Sequence, residues 1–300
     1  MTATSANDTA LGTARQTAAG PALDGRTTTT SAPVLRAFVS LLARDVRVLR
    51  RDISGFVIRA LTQPLLFVFV FSFVLPKING GGTGAFSGPA GAPSFATILV
   101  PGLLATAIMT QGVMSVTTPL VMELSYTREI EDRVLAPVPI WCIGVTKILA
   151  GAGQALVSAI IVFPGVMLIH AKGQAPDIAM SHLPLALLVA VGSSLLMASL
   201  GLLLGTIVEP RKLSVMFTIF IVPIIMLGCV YYPWSHLSPI RWMQVLTLFN
   251  PLVYVSEALR ASLVPSATHL PTWALLLALI GGTALLASVS VRMLGRRLVD

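Results

Sequence analysis

Hydrophobic residues make up 55% of the 300-residue chain and charged residues only 11%, with a net charge of +8 and a mean hydropathy of +0.86. Soluble domains carry about 25% charged residues, so this chain cannot clothe a water-facing surface in the usual way. The figures argue against a soluble enzyme, a disordered regulator and a disulfide-stapled secreted domain. They point to an all-α polytopic membrane protein, whose positive charge calls for a membrane explanation before a nucleic-acid one.

Residues 1–33 are rich in Thr, Ala and Ser and lack the apolar core of a signal peptide. They are expected to form a disordered tail. From 34 to 54 the pattern changes. Leu35, Phe38, Leu42, Val46, Leu49 and Ile53 recur at helical spacing and fall within an arc of roughly 80° on a helical wheel. Arg36, Arg44, Arg47, Arg50 and Arg51 point away from that arc. The segment reads as an amphipathic helix lying in the membrane interface.

Six apolar runs follow, near 56–76, 97–122, 143–169, 183–208, 213–232 and 272–291. With the N-terminus inside, sixteen Lys and Arg residues lie on the cytoplasmic side and four (Lys77, Lys172, Arg241, Arg260) outside. This asymmetry obeys the positive-inside rule and places both termini in the cytoplasm of a multi-pass inner-membrane protein. It also accounts for much of the +8, since cytoplasmic arginines can face anionic lipid. Arg59 sits within a turn of the inner boundary, where it can snorkel to the head groups. Gly201 and Gly205 allow close helix packing on the fourth run.

The chemistry of a catalytic or metal site is not evident. No Asp or Glu falls inside the six runs as drawn, which argues against ion coupling. The four histidines (170, 182, 236, 269) fall near the outer face without convergent spacing, so no metal site is assigned. Cys142, at the cytoplasmic edge of one run, and Cys229, inside another, are not expected to meet. No phosphate-binding loop occurs, so no cofactor is expected and any ATP must be bound by a partner.

Two loops stand out. Residues 123–139 concentrate charge in a charge-poor chain: Glu123, Arg128, Glu129, Glu131, Asp132 and Arg133, with Ile130 among them. Arg128 with Asp132 and Glu129 with Arg133 are i,i+4 pairs, and Pro137 and Pro139 stop the helix they support. This is either a solvated loop or a rigid docking element. Near the other end of the chain, Asn250-Pro251 forms an N-cap followed by proline at the first helical position. Tyr254, Glu257 and Arg260 follow, after an aromatic-rich stretch with Tyr231, Tyr232, Trp234 and Trp242. A segment this apolar between two spans is expected to dip partly into the membrane, although a surface amphipathic helix fits the same pattern.

The charged loop Arg128-Glu129-Ile130-Glu131-Asp132-Arg133-Val134-Leu135-Ala136-Pro137-Val138-Pro139 and the later segment Asn250-Pro251-Leu252-Val253-Tyr254-Val255-Ser256-Glu257-Ala258-Leu259-Arg260 occupy defined topological slots. Together with the amphipathic helix and the six spans, they resemble the permease subunit of an ABC-2 type transporter, a group that includes daunorubicin-type drug-efflux permeases and polysaccharide exporters. The resemblance covers residues 34–297 and leaves out the tail. It implies a non-enzymatic exporter subunit paired with a second permease copy or a paralogue, each docked on a cytosolic ATPase. The loop at 123–139 would be the coupling element, and short re-entrant helices at 234–263 would plug the outer end. The family's loop often reads Glu-Arg-Glu followed by Gly-Thr, and here Thr127-Arg128-Glu129-Ile130-Glu131-Asp132 stands instead. A drug or lipid-like substrate is the expectation. Lipid-linked glycan export and a non-transporting scaffold are the alternatives.

Overall fold

The computed structural model describes residues 43, 47, 51, 53–74, 95–124, 140–169 and 177–299. The N-terminal tail, most of the expected amphipathic helix and the loop at 125–139 lie outside the described residues. Arg47 and Arg51, both helical and exposed, are the described arginines of that amphipathic segment.

Among the described residues the fold is all-helical. Helix α1 (Ile53–Val68) continues into a π turn at Phe69–Val74. Then come α2 (Phe95–Met122), α3 (Ile140–Leu168) and α4 (Leu183–Ile207). A shorter helical run, α5, is built from Leu213–Met216, a π segment Phe217–Ile221, and Val222–Met226. Two short helices follow, α6 (Arg241–Thr247) and α7 (Pro251–Leu263), and the chain ends on α8 (Thr272–Val299). Five helices are long and apolar enough to cross a membrane: α1, α2, α3, α4 and α8.

The fifth expected run, 213–232, behaves differently. It stays helical only to Met226 and then turns through Gly228 and Cys229. Cys229 is therefore buried in a turn with positive φ (51°) rather than in a continuous helix. Hydropathy does not register this stop, because the residues after it are as apolar as those before. The cause is a set of side-chain contacts described below.

Helix α2 is the hub. Of its most apolar stretch 78% is buried, against 17% for α8. It packs closely on α4, where Thr117 Oγ1 donates to the Gly201 carbonyl at 2.8 Å. A Cβ on Gly201 would lie 2.8 Å from the Val113 carbonyl oxygen, so only glycine allows the two backbones this close. The contact at Gly102 is tighter. Its absent Cβ would sit 1.9 Å from the Val230 carbonyl oxygen, where the chain after α5 crosses α2. Gly192 has nothing within 4 Å of that position.

The helix ends define two faces of the bundle. Met122 at the end of α2, residues 123–124 and the start of α3 flank the 125–139 segment at one face. The starts of α2, α4 and α8 lie at the opposite one, where the Asp177 N–H donates to Thr97 Oγ1 at 3.0 Å. Helix α7 climbs to that opposite face, because the carbonyl of its last residue, Leu263, accepts from Ala179 N–H at 3.0 Å.

Gly102→Ala is expected to lower the melting temperature of the purified protein in detergent, since backbone must move to accept the methyl, an overpacking cost of about 1–3 kcal/mol. Gly192→Ala should leave it unchanged or raise it slightly. Equal melting temperatures for both variants would contradict the close crossing.

Candidate functional site

Helix α5 ends within the bundle, and carbonyls of its last turn and of the turn at 227–229 need donors that water would otherwise supply. Helix α7 supplies them. Asn250 caps α7, its Oδ1 accepting from Leu252 N–H at 2.9 Å, while its Nδ2 donates to the Ile224 carbonyl at 2.7 Å. Ser256 Oγ donates to the Gly228 carbonyl at 2.8 Å, and Arg260 Nη2 donates to the Cys229 carbonyl at 3.0 Å. Pro251 occupies the first turn, where its missing N–H costs nothing. Tyr254 Oη donates to the Leu248 carbonyl at 2.9 Å, fastening the turn between α6 and α7.

Burying the Arg260 guanidinium without a counter-charge would be prohibitive. Glu257, one turn earlier, supplies it, and both side chains are fully buried. Glu257 Oε1 accepts from Arg260 Nη1 and, at 3.0 Å, from the Trp234 N–H. Its Oε2 accepts from the Leu270 N–H at 3.1 Å. The carboxylate thus ties α7 to the chain before α6 and to the entry of α8. Arg260 Nε has no partner among the described residues. Counted in the sequence as an outer-loop cation, Arg260 is in fact neutralised in the interior. Glu257 is likewise an interior acid, with donors on both of its oxygens.

A second charge pair sits at the opposite face. Glu123, just past the end of α2, accepts from Lys147 Nζ on α3 at 2.6 Å, with side chains 12% and 9% exposed. The two helices that lead into and out of the 125–139 loop are therefore joined at its base. Nearby, Arg297 at the end of α8 donates to the Thr206 carbonyl at the end of α4.

Of the residues singled out in the sequence, Asn250, Pro251, Tyr254, Glu257 and Arg260 share one buried helix. Glu123 lies at the opposite face, and Arg128, Glu129, Ile130, Glu131, Asp132 and Arg133 fall outside the described residues. Sequence reasoning overlooked the roles of Lys147 and Ser256. Lys147 is the lone cation of a long apolar run, and that isolation was an available signal. The backbone acceptors at Ile224, Gly228 and Cys229 leave no mark on side-chain identity.

Removing one member of the buried pair is expected to destabilise strongly, by about 3–5 kcal/mol, because the other charge is left uncompensated. Glu257→Leu and Arg260→Leu should each lower the melting temperature in detergent more than the double substitution does. A double variant worse than both singles would contradict the pairing.

Comparison with known families gives one match. The family model described as ABC-2 type transporter covers residues 36–264. No curated protein matches the chain.

Proposed function

The chain belongs to the ABC-2 type transporter family and is a membrane permease of an ABC transporter, and from that premise we propose that it exports an amphipathic or hydrophobic substrate, drug or lipid-like, with energy from a separate cytosolic ATPase. The observation that carries the coupling mechanism is the Glu123–Lys147 bridge at the base of the charged loop. The face bearing that loop is cytoplasmic on this reading, supported by the excess of basic residues that the sequence places on that side. The sixth crossing is completed by α5 together with the segment after it, which keeps both termini on the cytoplasmic side.

Closure of the ATPases on nucleotide pushes on residues 125–139. A loop with independent stems would absorb that push by bending. With the stems bridged, α2 and α3 move as one body. Helix α2 carries the motion to the outer half, where the chain after α5 crosses it at Gly102. There α6 and α7 form the plug, held shut by Asn250, Tyr254, Glu257 and Arg260. A second permease, a copy or a paralogue, completes the pathway.

Two measurements test this reading in membrane vesicles that contain the permease and its ATPase. Glu129→Lys or Glu131→Lys is expected to reduce ATP-driven uptake of a fluorescent amphiphile at least tenfold, with insertion unchanged. Normal uptake would remove the loop from the mechanism. Glu123→Lys should also impair uptake, and Glu123→Lys combined with Lys147→Glu should restore most of it. Failure of the swap to rescue would show that the bridge is not what joins the stems. Vesicles with no ATP-dependent movement of any amphiphile would overturn the export assignment.

A further inference from the structure

Midway along α1 and α2 the two helices separate enough to leave a cleft lined by Ala60, Gln63 and Pro64 on one side and Thr106, Thr110 and Gln111 on the other. Its enclosed volume is about 10 Å³, room for a single water-sized group, so it can take at most one small polar group of a larger molecule.

The two threonines are already committed. Thr106 Oγ1 donates to the Gly102 carbonyl at 3.0 Å and Thr110 Oγ1 to the Thr106 carbonyl at 2.8 Å. The glutamines are not. Gln63 and Gln111 are half-buried, and neither carboxamide is engaged by another group among the described residues. Pro64 adds a third open valence. It has no N–H, so the Ala60 carbonyl cannot receive its helical bond from residue 64. Each carboxamide has two donors and an acceptor to satisfy. At the middle of two helices long enough to span a membrane, leaving them unsatisfied is costly.

We propose that this cleft is a recognition subsite for the hydrogen-bonding head of an amphipathic solute, an uncharged amide or hydroxyl carried on an apolar body. The subsite rests on the export reading above and specifies its substrate class. Among the described residues the cleft is lined by uncharged groups, and its carboxamides, neutral donors and acceptors, suit an uncharged head. The carboxamides offer donors and acceptors, and the Ala60 carbonyl adds an acceptor, which matches a group that both donates and accepts. The apolar body lies along the exposed side of α1, where Ile58 and Leu66 face outward.

The test is photolabelling of the full-length permease with its ATPase in proteoliposomes. The probes are an N-alkyl amide bearing an alkyl diazirine and a hydrocarbon analogue in which methylenes replace the amide. Labelling is mapped by mass spectrometry onto residues 53–74 and 95–122. The amide probe is expected to label this region in preference to the hydrocarbon. Gln63→Leu and Gln111→Leu should each reduce amide labelling about fivefold, the loss of a neutral hydrogen bond. Hydrocarbon labelling of exposed Leu276, Leu277 and Ile280 on α8 should stay constant, showing that the variants are folded. Equal labelling of the cleft by both probes, or unchanged labelling in the leucine variants, overturns the subsite. So does disulfide formation between two copies through Gln111→Cys, which would make the glutamine a partner contact. ATP-driven uptake of the amide probe is measured in parallel. Uptake without cleft labelling overturns the subsite alone, and labelling without uptake overturns the export reading alone.

Discussion

A helix that stops and turns inside an apolar bundle must find donors for the carbonyls of its last turn and of the turn after it, because no water is there to provide them. The architecture around α5 follows from that requirement. The carbonyls of Ile224, Gly228 and Cys229 accept from Asn250, Ser256 and Arg260, all from α7 or its cap. Because one of these donors is an arginine, a carboxylate must be buried with it, and Glu257 is placed one turn away. Because the carboxylate has two oxygens to satisfy, it recruits the N–H groups of Trp234 and Leu270. One interrupted helix thus accounts for the position of α7, its internal charge pair and the entry of α8. The positive φ of Cys229 belongs to the same turn. Its cost, roughly 1–2 kcal/mol for a left-handed residue, is offset by the hydrogen bonds the turn permits.

The parts of the fold set by composition and by local chemistry were legible in the sequence. Long apolar runs became long helices because a chain this poor in charge has no other way to satisfy its backbone in lipid. Asn250-Pro251 became an N-cap because that chemistry is complete within a few residues. Gly201 and Gly205 marked a close helix contact, and Thr117 confirms it from the facing helix. The end of α5 was not legible. Val230, Tyr231 and Tyr232 continue the hydrophobic pattern, and what stops the helix is the demand of donors some 26 to 31 residues further on. Arg260 misled for a related reason. Its charge suggested a surface, whereas its partners are carbonyls brought near only by the folded chain.

The two charge pairs also differ in what they can do. Glu257 and Arg260 lie on one helix and are fully enclosed, so their contribution is mainly to hold their surroundings in register, with the net stabilisation reduced by desolvation. Glu123 and Lys147 lie on different helices and retain slight exposure. A pair of that kind constrains relative motion of two elements more than it stabilises either one. On the proposed function, the pair at the base of the charge-dense loop suits transmission, while the enclosed pair suits closure.

Both pairs connect to segments that meet α2. Glu123 adjoins one end of that helix, and Gly102, where the chain after α5 crosses, lies near the other. Twenty-one residues of helix separate them, about 32 Å at 1.5 Å per residue. Pro119 lies four residues before Glu123 and Pro101 immediately before Gly102. Each proline deletes one helical hydrogen bond, at the carbonyls of Ser115 and Thr97, and so lowers the resistance to bending there. Between these weakened points the helix has no further proline and is packed most closely on α4. On the proposed function, α2 is a stiff rod with a joint beside each attachment. The Gln111 side of the cleft lies on the rod itself, and the Gln63 side lies on the less buried α1. On that reading, movement of the rod would change the spacing of the two carboxamides, and a head group held between them would be gripped or released by the same motion that works the proposed outer plug.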